Sequence, residues 1–423
     1  MALYLAIMAG SVFLGTELFA LPLPFAQLSI YRFMAFLLMP MMVYHLIIRK
    51  KDLVWEPHLG ASRIYLGYLA FFAFSLVGIL WAEYRPEWFR ANFLIFLGLL
   101  SITGLFFYIR TMKEWRLVFH IVWWFMVALL FMGLYESLTG RYILGDEAFI
   151  TLWGENRAPY ERRVAFTIFA NPNDFASFVT AFVALSTVKI FRIKNIPSLV
   201  FTIFLMVISL VLVYESESRL SLACLGLILI LFIYLSWVKT DITFHLNGEW
   251  AFILAGVGIS LRALYPKIAQ VVYIMTNPGT LSYTSSGQIR LGLLKNGLVF
   301  LARSHGLGIG SGNIRPTMVV DAIFETGKKA DLHNWWGEIL VGNGIIGFFI
   351  YLVTYILTIM GLVDRRKNPR FRPEANALLI FIIVWILLSQ ISSNNMSVEW
   401  HWVIFGLVIS FLKVSELEER NEQ

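Results

Sequence analysis

Long apolar stretches separated by short polar segments run along almost the whole chain. Leu, Ile, Val and Phe dominate many windows of about 17 or more residues, which is long enough to cross ~30 Å of hydrocarbon as an α-helix. Helices also satisfy their own backbone hydrogen bonds in lipid. The pattern therefore predicts an all-α polytopic membrane protein with twelve spans, at about 3–21, 28–48, 63–82, 91–109, 117–136, 173–191, 196–214, 220–237, 250–265, 334–362, 375–391 and 400–413.

Composition agrees with this class. Of 423 residues, 58% are hydrophobic and only 14% are charged, and the mean hydropathy is +0.72. Soluble domains carry about 25% charged residues. The net charge of +7 does not imply nucleic acid, because lysine and arginine in loops fix the topology of membrane proteins. The first 22 residues lack a basic start and a convincing cleavage site, so we expect a retained first span.

Basic residues cluster in the loops that follow even-numbered spans. These residues are Arg49, Lys50, Lys51, Arg110, Lys113, Arg116, Arg192, Lys194, Lys239, Arg365, Arg366, Lys367, Arg370 and Arg372. The positive-inside rule places such loops in the cytoplasm, and both termini with them. The predicted organisation is then spans one to nine over 1–265, with an outer loop at about 137–172. A large outer loop with short helices follows over 266–333, and spans ten to twelve with a short acidic cytoplasmic tail occupy 334–423.

Charged residues accumulate toward the outer side. The second outer loop holds seven cations against three carboxylates, namely Lys267, Arg290, Lys295, Arg303, Arg315, Lys328 and Lys329 against Asp321, Glu325 and Asp331. Ionisable residues predicted inside spans also lie near outer ends, namely Glu17, Arg32, Arg219, Arg262 and Glu338. Two interpretations remain open: a solvated loop with snorkelling arginines, or an electropositive outer site for a phosphorylated or acidic-sugar ligand.

Two motifs in this region are candidates for chemistry. An apolar stretch at 291–302, either amphipathic or re-entrant, precedes a run of alternating glycines from Gly306 to Gly312. Such a run lets the backbone approach a ligand and can turn N–H groups toward an anion, whereas a flexible turn is the alternative. Neither a Walker lysine nor a cluster with metal-ligand spacing is present in the sequence, so no cofactor or metal is predicted.

The second motif is His333-Asn334, which opens the tenth predicted span. The pKa range of histidine suits a general base at neutral pH, whereas an interfacial hydrogen-bonding role is the alternative. Asn334 either orients this histidine or caps the following helix. Trp335 and Trp336 fit an interfacial aromatic belt.

Together these segments resemble the O-antigen ligase/polymerase superfamily of integral-membrane glycosyltransferases. The resemblance rests on order and spacing from about residue 160 to 350. The matching features are Arg163 to Ala176 at the entry to span six, Ser218-Arg219 at a span start, Arg290 with Gly306 sixteen positions later, and His333-Asn334 with Gly344-x-x-Gly347.

The resemblance implies an inverting, metal-independent transferase at the outer face of the bacterial cytoplasmic membrane. Its donor is a glycan on undecaprenyl diphosphate. Carried over by position, Arg219 and Arg290 bind the diphosphate, and His333 takes the proton of the acceptor hydroxyl. Prepositioned guanidiniums stabilise the charge that a leaving diphosphate gains. Further candidates for substrate binding are Arg303, Arg163, Arg315, Asn334 and Glu338.

The resemblance leaves the acceptor open. A ligase transfers the glycan to lipid A-core, whereas a polymerase transfers it to a second lipid-linked repeat unit and makes O-antigen, capsule, exopolysaccharide or a teichuronic-type polymer. The short acidic end from Glu416 to Gln423 disfavours protein glycosylation. A transporter or flippase of lipid-linked oligosaccharide is the alternative from another class. It predicts polar residues at the midplane and repeated halves, and neither is visible.

Overall fold

A computed structural model of the protein describes residues 1–15, 20–22, 27–45, 47, 55–143, 150, 164–169, 171–192, 195–237, 286–327, 329–391, 396 and 398–422. Within these ranges the structure is almost entirely α-helical. The longer helices are α1 Ala2–Ser11, α2 Ile30–Tyr44, α3 Gly60–Val77, α4 Arg85–Tyr108, α5 Met112–Thr139, α6 Pro172–Phe191, α7 Ile196–Glu215, α8 Arg219–Trp237, α9 Ser286–Arg303, α10 Ile314–Asp321, α11 Trp335–Arg365, α12 Arg372–Leu388 and α13 Glu399–Glu422. Short 3-10 turns extend α1 over Val12–Leu14 and α3 over Gly78–Leu80.

Eight of the described helices are long and apolar enough to cross a membrane, namely α3 (with its 3-10 turn), α4, α5, α6, α7, α8, α11 and α13. The chain is thus an all-α polytopic membrane protein. The number of spans and their orientation stay predictions. The ninth predicted span, 250–265, lies outside the described residues, as do Glu17 and Arg262.

The first predicted span is only partly helical in the structure. Helix α1 and its 3-10 turn end at Leu14, and the next residue, Gly15, has φ 71° and ψ −175°, which is not helical. Between α1 and α2, Leu21–Pro22 pairs antiparallel with Gln27–Leu28 as β1 and β2.

The last helix, α13, occupies the centre of the bundle. It packs against α4, α3 and α5, while α1 lies on α5, α11 on α3, and α12 on α6 and α8. Side chains are buried almost without interruption from Trp400 to Ser415. The central helix therefore holds α3, α4, α5 and α11 together.

The predicted acidic tail is the continuation of this central helix. Glu416 accepts hydrogen bonds from the backbone N–H groups of Gly60 at 2.9 Å and Ala61 at 3.4 Å, and Glu418 accepts one from Met112 at 2.7 Å. The first N–H groups of a helix have no intrahelical partner, so these carboxylates cap α3 and α5. The acidic segment after residue 413 is therefore helical as far as Glu422, and its polar residues have capping partners.

Segments predicted to lie outside gather at the opposite end of the bundle. The backbone N–H of Tyr84 donates to the Asn313 side chain at 2.6 Å, which joins the start of α4 to the large loop. The buried carboxylate of Glu136 accepts the N–H groups of Phe166 at 3.1 Å and Thr167 at 2.9 Å. We call these joined segments, which are all predicted to lie outside, the outer cap. The outer cap contains the candidate site.

Candidate functional site

A break in helix α11 shapes the site. Gly344 has φ 69° and ψ −176°, far from helical values. The backbone groups freed on either side bond to the glycine run: the N–H groups of Ile309 and Gly310 donate to the carbonyls of Val341 and Gly342, and the N–H of Ile345 donates to the Gly306 carbonyl, each at 2.9 Å. Buried backbone groups need such partners, so the run and the break form one unit.

The glycines allow two backbones to touch. A Cβ on Gly344 would lie closer than 3.0 Å to the carbonyl of Leu307, and one on Gly308 would lie 2.7 Å from the Gly342 oxygen. Both glycines also have positive φ, which residues with a Cβ adopt at a cost. These glycines therefore allow two backbone segments of the protein to pack closely, rather than allowing the backbone to approach a ligand.

The N–H groups of the run are already occupied. Gly306 donates to Leu301 and Leu307 to Ser304 through backbone carbonyls, Gly308 donates to the Ser304 hydroxyl, and Ile309 and Gly310 donate as above. The idea that these N–H groups face an anion is thus wrong for residues 306–310.

His333 lies just before α11 in an unusual state. Its backbone has φ 52°, a left-handed conformation that costs a non-glycine residue of order 1–3 kcal/mol and clusters at functional sites. Its Nδ1 atom is buried and has no hydrogen-bond partner in the described part of the chain. A buried polar atom without a partner is unfavourable, which makes this imidazole a candidate for binding something else.

The residues after His333 are firmly held. The Asn334 side chain accepts the N–H of Gly337 at 3.1 Å, and the N–H of Trp335 donates to the Ser389 carbonyl at 3.0 Å. Asn334 thus caps the helix, which was one of its two expected roles. The imidazole of His333 therefore directly precedes a helix start whose position is fixed by these hydrogen bonds.

Charge and burial keep His333 neutral. Burial lowers its pKa from 6.5 to about 4, and the positive charges of Arg290 and Lys329 lower it in the same direction. Arg290 belongs to α9, where one guanidinium nitrogen donates to the Gln390 carbonyl at 3.4 Å. Burial lowers the pKa of Arg290 as well. A neutral base beside a cation can accept a proton while the cation holds an anion.

Arg219 lies at the start of α8 and is exposed. The turn before it contains Glu217 with φ 57°. Glu215 accepts a hydrogen bond from the Ser137 hydroxyl. Within the described residues Arg219 forms no ion pair with either glutamate. No contact between Arg219 and His333 or Arg290 is found, and its part in the site stays a prediction.

The remaining candidate substrate-binding residues do not lie together. Arg303 is 13 residues beyond Arg290 on α9, which is roughly 20 Å along the helix axis. There its Nη1 lies 3.9 Å from Asp321. Arg315 and Glu338 instead line a cavity, and Glu338 accepts the backbone N–H of Met396 at 3.0 Å. Arg163 lies outside the described residues.

This cavity has a volume of about 570 Å³. Its wall includes Asp331 and Leu332, the two residues directly before His333, and also Arg90 on α4. Sequence analysis did not select Arg90, because this residue precedes the fourth predicted span by one position. The signal available in the sequence was an arginine at the predicted outer end of a span, where the positive-inside rule does not require one.

Within the described ranges no group of three or more His, Cys, Asp or Glu side chains is arranged to hold a metal ion.

The tryptophan next to the site is buried. Trp335 is 0% exposed and packs against Trp385 and Trp402 with ring centroids 5.6 and 5.4 Å apart. The prediction of an interfacial belt is therefore wrong for Trp335. Its bulk fixes the start of α11 in the core. His401 lies in the same cluster, with its ring centroid 4.4 Å from that of Trp385.

With this geometry in hand, comparison with known proteins adds one relative. The chain is 27% identical over 420 residues to the teichuronic acid biosynthesis protein TuaE of Bacillus subtilis (strain 168), and the likeness covers 96% of this chain and 83% of that protein. No family model matches the chain. Because the likeness spans nearly the whole chain, it includes both the helical bundle and the outer cap.

Proposed function

We propose that this protein is a membrane glycosyltransferase that extends a cell-surface polysaccharide, using a glycan linked to undecaprenyl diphosphate as donor. The observation that carries the proposal is His333, a neutral imidazole with an unpartnered buried nitrogen, held beside the guanidinium of Arg290. The likeness to TuaE, a protein named for teichuronic acid biosynthesis, supports a role in the biosynthesis of a surface polysaccharide.

In the proposed step, His333 accepts the proton of an acceptor hydroxyl. The hydroxyl oxygen forms a bond to the anomeric carbon of the donor from the face opposite the diphosphate. The bond from that carbon to the diphosphate oxygen breaks, and its electron pair leaves with the diphosphate. The sugar configuration inverts, and the imidazolium later releases its proton to water.

Arg290 has two effects in this scheme. Its fixed charge stabilises the oxygen that becomes more negative as the bond breaks, which is most effective in a site partly shielded from water. Before the donor binds, the same charge adds to the effect of burial, which is the main cause of the low pKa of His333. A bound diphosphate offsets the charge, so the imidazole becomes a stronger base when the donor is present.

The name of the relative favours a polymerase over a ligase. The relative is named for teichuronic acid biosynthesis, and a teichuronic-type polymer is the kind of product that the family resemblance assigns to a polymerase, which transfers one glycan onto another. We therefore propose a second lipid-linked glycan as acceptor rather than lipid A-core. The diphosphate on each lipid suits the excess of cations in the large outer loop.

The test uses full-length protein in lipid nanodiscs with a lipid-diphosphate-linked glycan as donor. One arm offers a second lipid-linked repeat unit and the other offers lipid A-core, and products are separated by length. Wild type should extend the repeat unit. His333→Ala should reduce transfer by roughly 100-fold or more, since general base catalysis contributes typically 10²–10⁴-fold.

His305→Ala is the matched control. His305 lies in the same outer loop, also with positive φ, but it is exposed. It should transfer at the wild-type rate. Wild-type transfer by the His333 variant would overturn the base assignment, whereas extension of lipid A-core alone would replace polymerase by ligase. Failure of wild type to transfer glycan from any lipid-diphosphate donor would overturn the function.

A further inference from the structure

The cavity beside His333 has no role in the scheme above. Its volume of about 570 Å³ falls within the ~300–1,000 Å³ of typical small-molecule sites. Val319 and Val320 on its rim are 73% and 68% exposed, so the cavity is open and a ligand can enter it without rearrangement. Room for more than one sugar ring is available.

Two arginines on different elements line this cavity. Arg90 comes from α4 and has no ion pair or hydrogen bond among the described residues. Arg315 comes from α10, and its nearest carboxylate, Asp331, is 3.9 Å away with the arginine side chain 69% exposed. Because this ion pair is long and Arg315 is mostly exposed, its guanidinium keeps donors available for a second anion. The Arg90 guanidinium has all of its donors available among the described residues.

The cavity also holds hydrogen-bond acceptors. Glu87 and Asp331 line it together with the arginines. Burial raises the pKa of Asp331, and Arg315 opposes this effect. A site with two cations and neighbouring carboxylates suits a ligand with both carboxylates and hydroxyls, because guanidiniums bind carboxylates through two parallel hydrogen bonds and carboxylates accept bonds from hydroxyls. A bare diphosphate offers no hydroxyls.

We propose that this cavity is the acceptor subsite, in which Arg90 and Arg315 bind the carboxylates of uronic-acid residues in the acceptor glycan. This inference rests on the proposed function. The base must lie between acceptor and leaving group, and His333 fits that position: residues 331 and 332 directly before it line the cavity, whereas Arg290 approaches from α9.

The test measures binding to full-length protein in nanodiscs, so it does not depend on turnover. The probes are a hexuronic-acid oligosaccharide and the same oligosaccharide with its carboxylates reduced to hydroxymethyl groups. Wild type should bind the acidic form at least tenfold more tightly. Arg90→Gln and Arg315→Gln should each weaken binding of the acidic form roughly tenfold, as expected for loss of a charge-assisted contact, and leave the reduced form unchanged.

Arg85→Gln is the matched control, because Arg85 is exposed on the same helix as Arg90 but does not line the cavity. It should bind both probes as wild type does. Equal binding of the two probes by wild type would overturn the subsite, as would an Arg85 variant that loses as much affinity as the Arg90 variant. If the acidic probe binds as expected but no lipid-linked donor is used, binding of uronic acids by Arg90 and Arg315 stands, whereas the acceptor role and the proposed function fail.

Discussion

Protonation of His333 offers a quantitative test of the site. With its pKa near 4 instead of 6.5, about 97% of the imidazole is neutral at pH 5.5, against about 9% for an ordinary histidine. If His333 is the base, kcat/KM should therefore change little between pH 7.5 and 5.5 and fall only near pH 4. The value of kcat/KM reports the free enzyme, before the donor charge acts on the imidazole.

Removing a nearby positive charge should shift the acid limb of the pH profile, the low-pH range in which kcat/KM falls, toward higher pH. Arg290→Gln deletes one of the two charges that lower the pKa of His333, so the limb should shift upward. It should stay below pH 6.5, because burial is the larger cause. Lys329→Gln should shift the limb less, since that residue contributes the smaller effect. The rate should fall strongly only in the Arg290 variant.

The lowered pKa of His333 also predicts how the stability of the folded protein depends on pH. A histidine whose pKa is lower in the folded protein binds protons more readily when unfolded, so acid favours unfolding. Stability should decline as the pH falls from about 6.5 to about 4 and change little with this residue above that window. His333→Gln should flatten this decline.

An acid limb at pH 6.5 in wild type would refute the reasoning. So would a limb that neither charge deletion moves but that Asp331→Asn removes, because burial raises the pKa of Asp331 as well. In that case a carboxylate, not the imidazole, would be the titrating group.

Two further predictions concern the scaffold. Gly344→Ala should lower stability by about 2–4 kcal/mol, from left-handed backbone strain plus overpacking, while Gly226→Ala, where a Cβ would meet nothing within 4 Å, should be neutral in thermal unfolding. Equal melting temperatures would show that the helix break tolerates a side chain. Glu416→Ala should cost about 0.5–2 kcal/mol by uncapping α3 at Gly60. Glu422→Ala, whose side chain is 55% exposed, should cost less, and the reverse order would exclude capping as the cause.

Sequence reasoning succeeded where the information is local. Hydrophobic run length predicted the helical class, and every predicted span with described residues overlaps a helix. The apolar stretch 291–302 is helical and packs on α11, because an amphipathic helix must cover its apolar face. That packing brings Arg290 close to His333, two residues that the family resemblance paired without any geometry.

Sequence reasoning failed where a residue's role depends on distant contacts. The glycine run has the composition of a ligand loop, and only the partner carbonyls of Val341 and Gly342 reveal that it closes a helix break. The acidic segment after residue 413 likewise gives no sign in the sequence that Glu416 caps α3 at Gly60. Arg90 carried no motif, because a cavity wall assembled from α4, α10 and α11 has no linear signature.

The unusual state of His333 is a consequence of what surrounds it. Leu332, just before it, is 4% exposed in the small core formed with Leu293 and Phe300, and Trp335, two residues after it, is locked among aromatic rings. With both sides fixed, the backbone between them has little freedom to relax from its positive φ. The surrounding packing therefore offsets the strain, and the imidazole is preorganised before substrate arrives. A purely structural histidine would gain stability by finding a partner for Nδ1, so a preorganised and unpartnered nitrogen fits a binding or catalytic role better than a packing role.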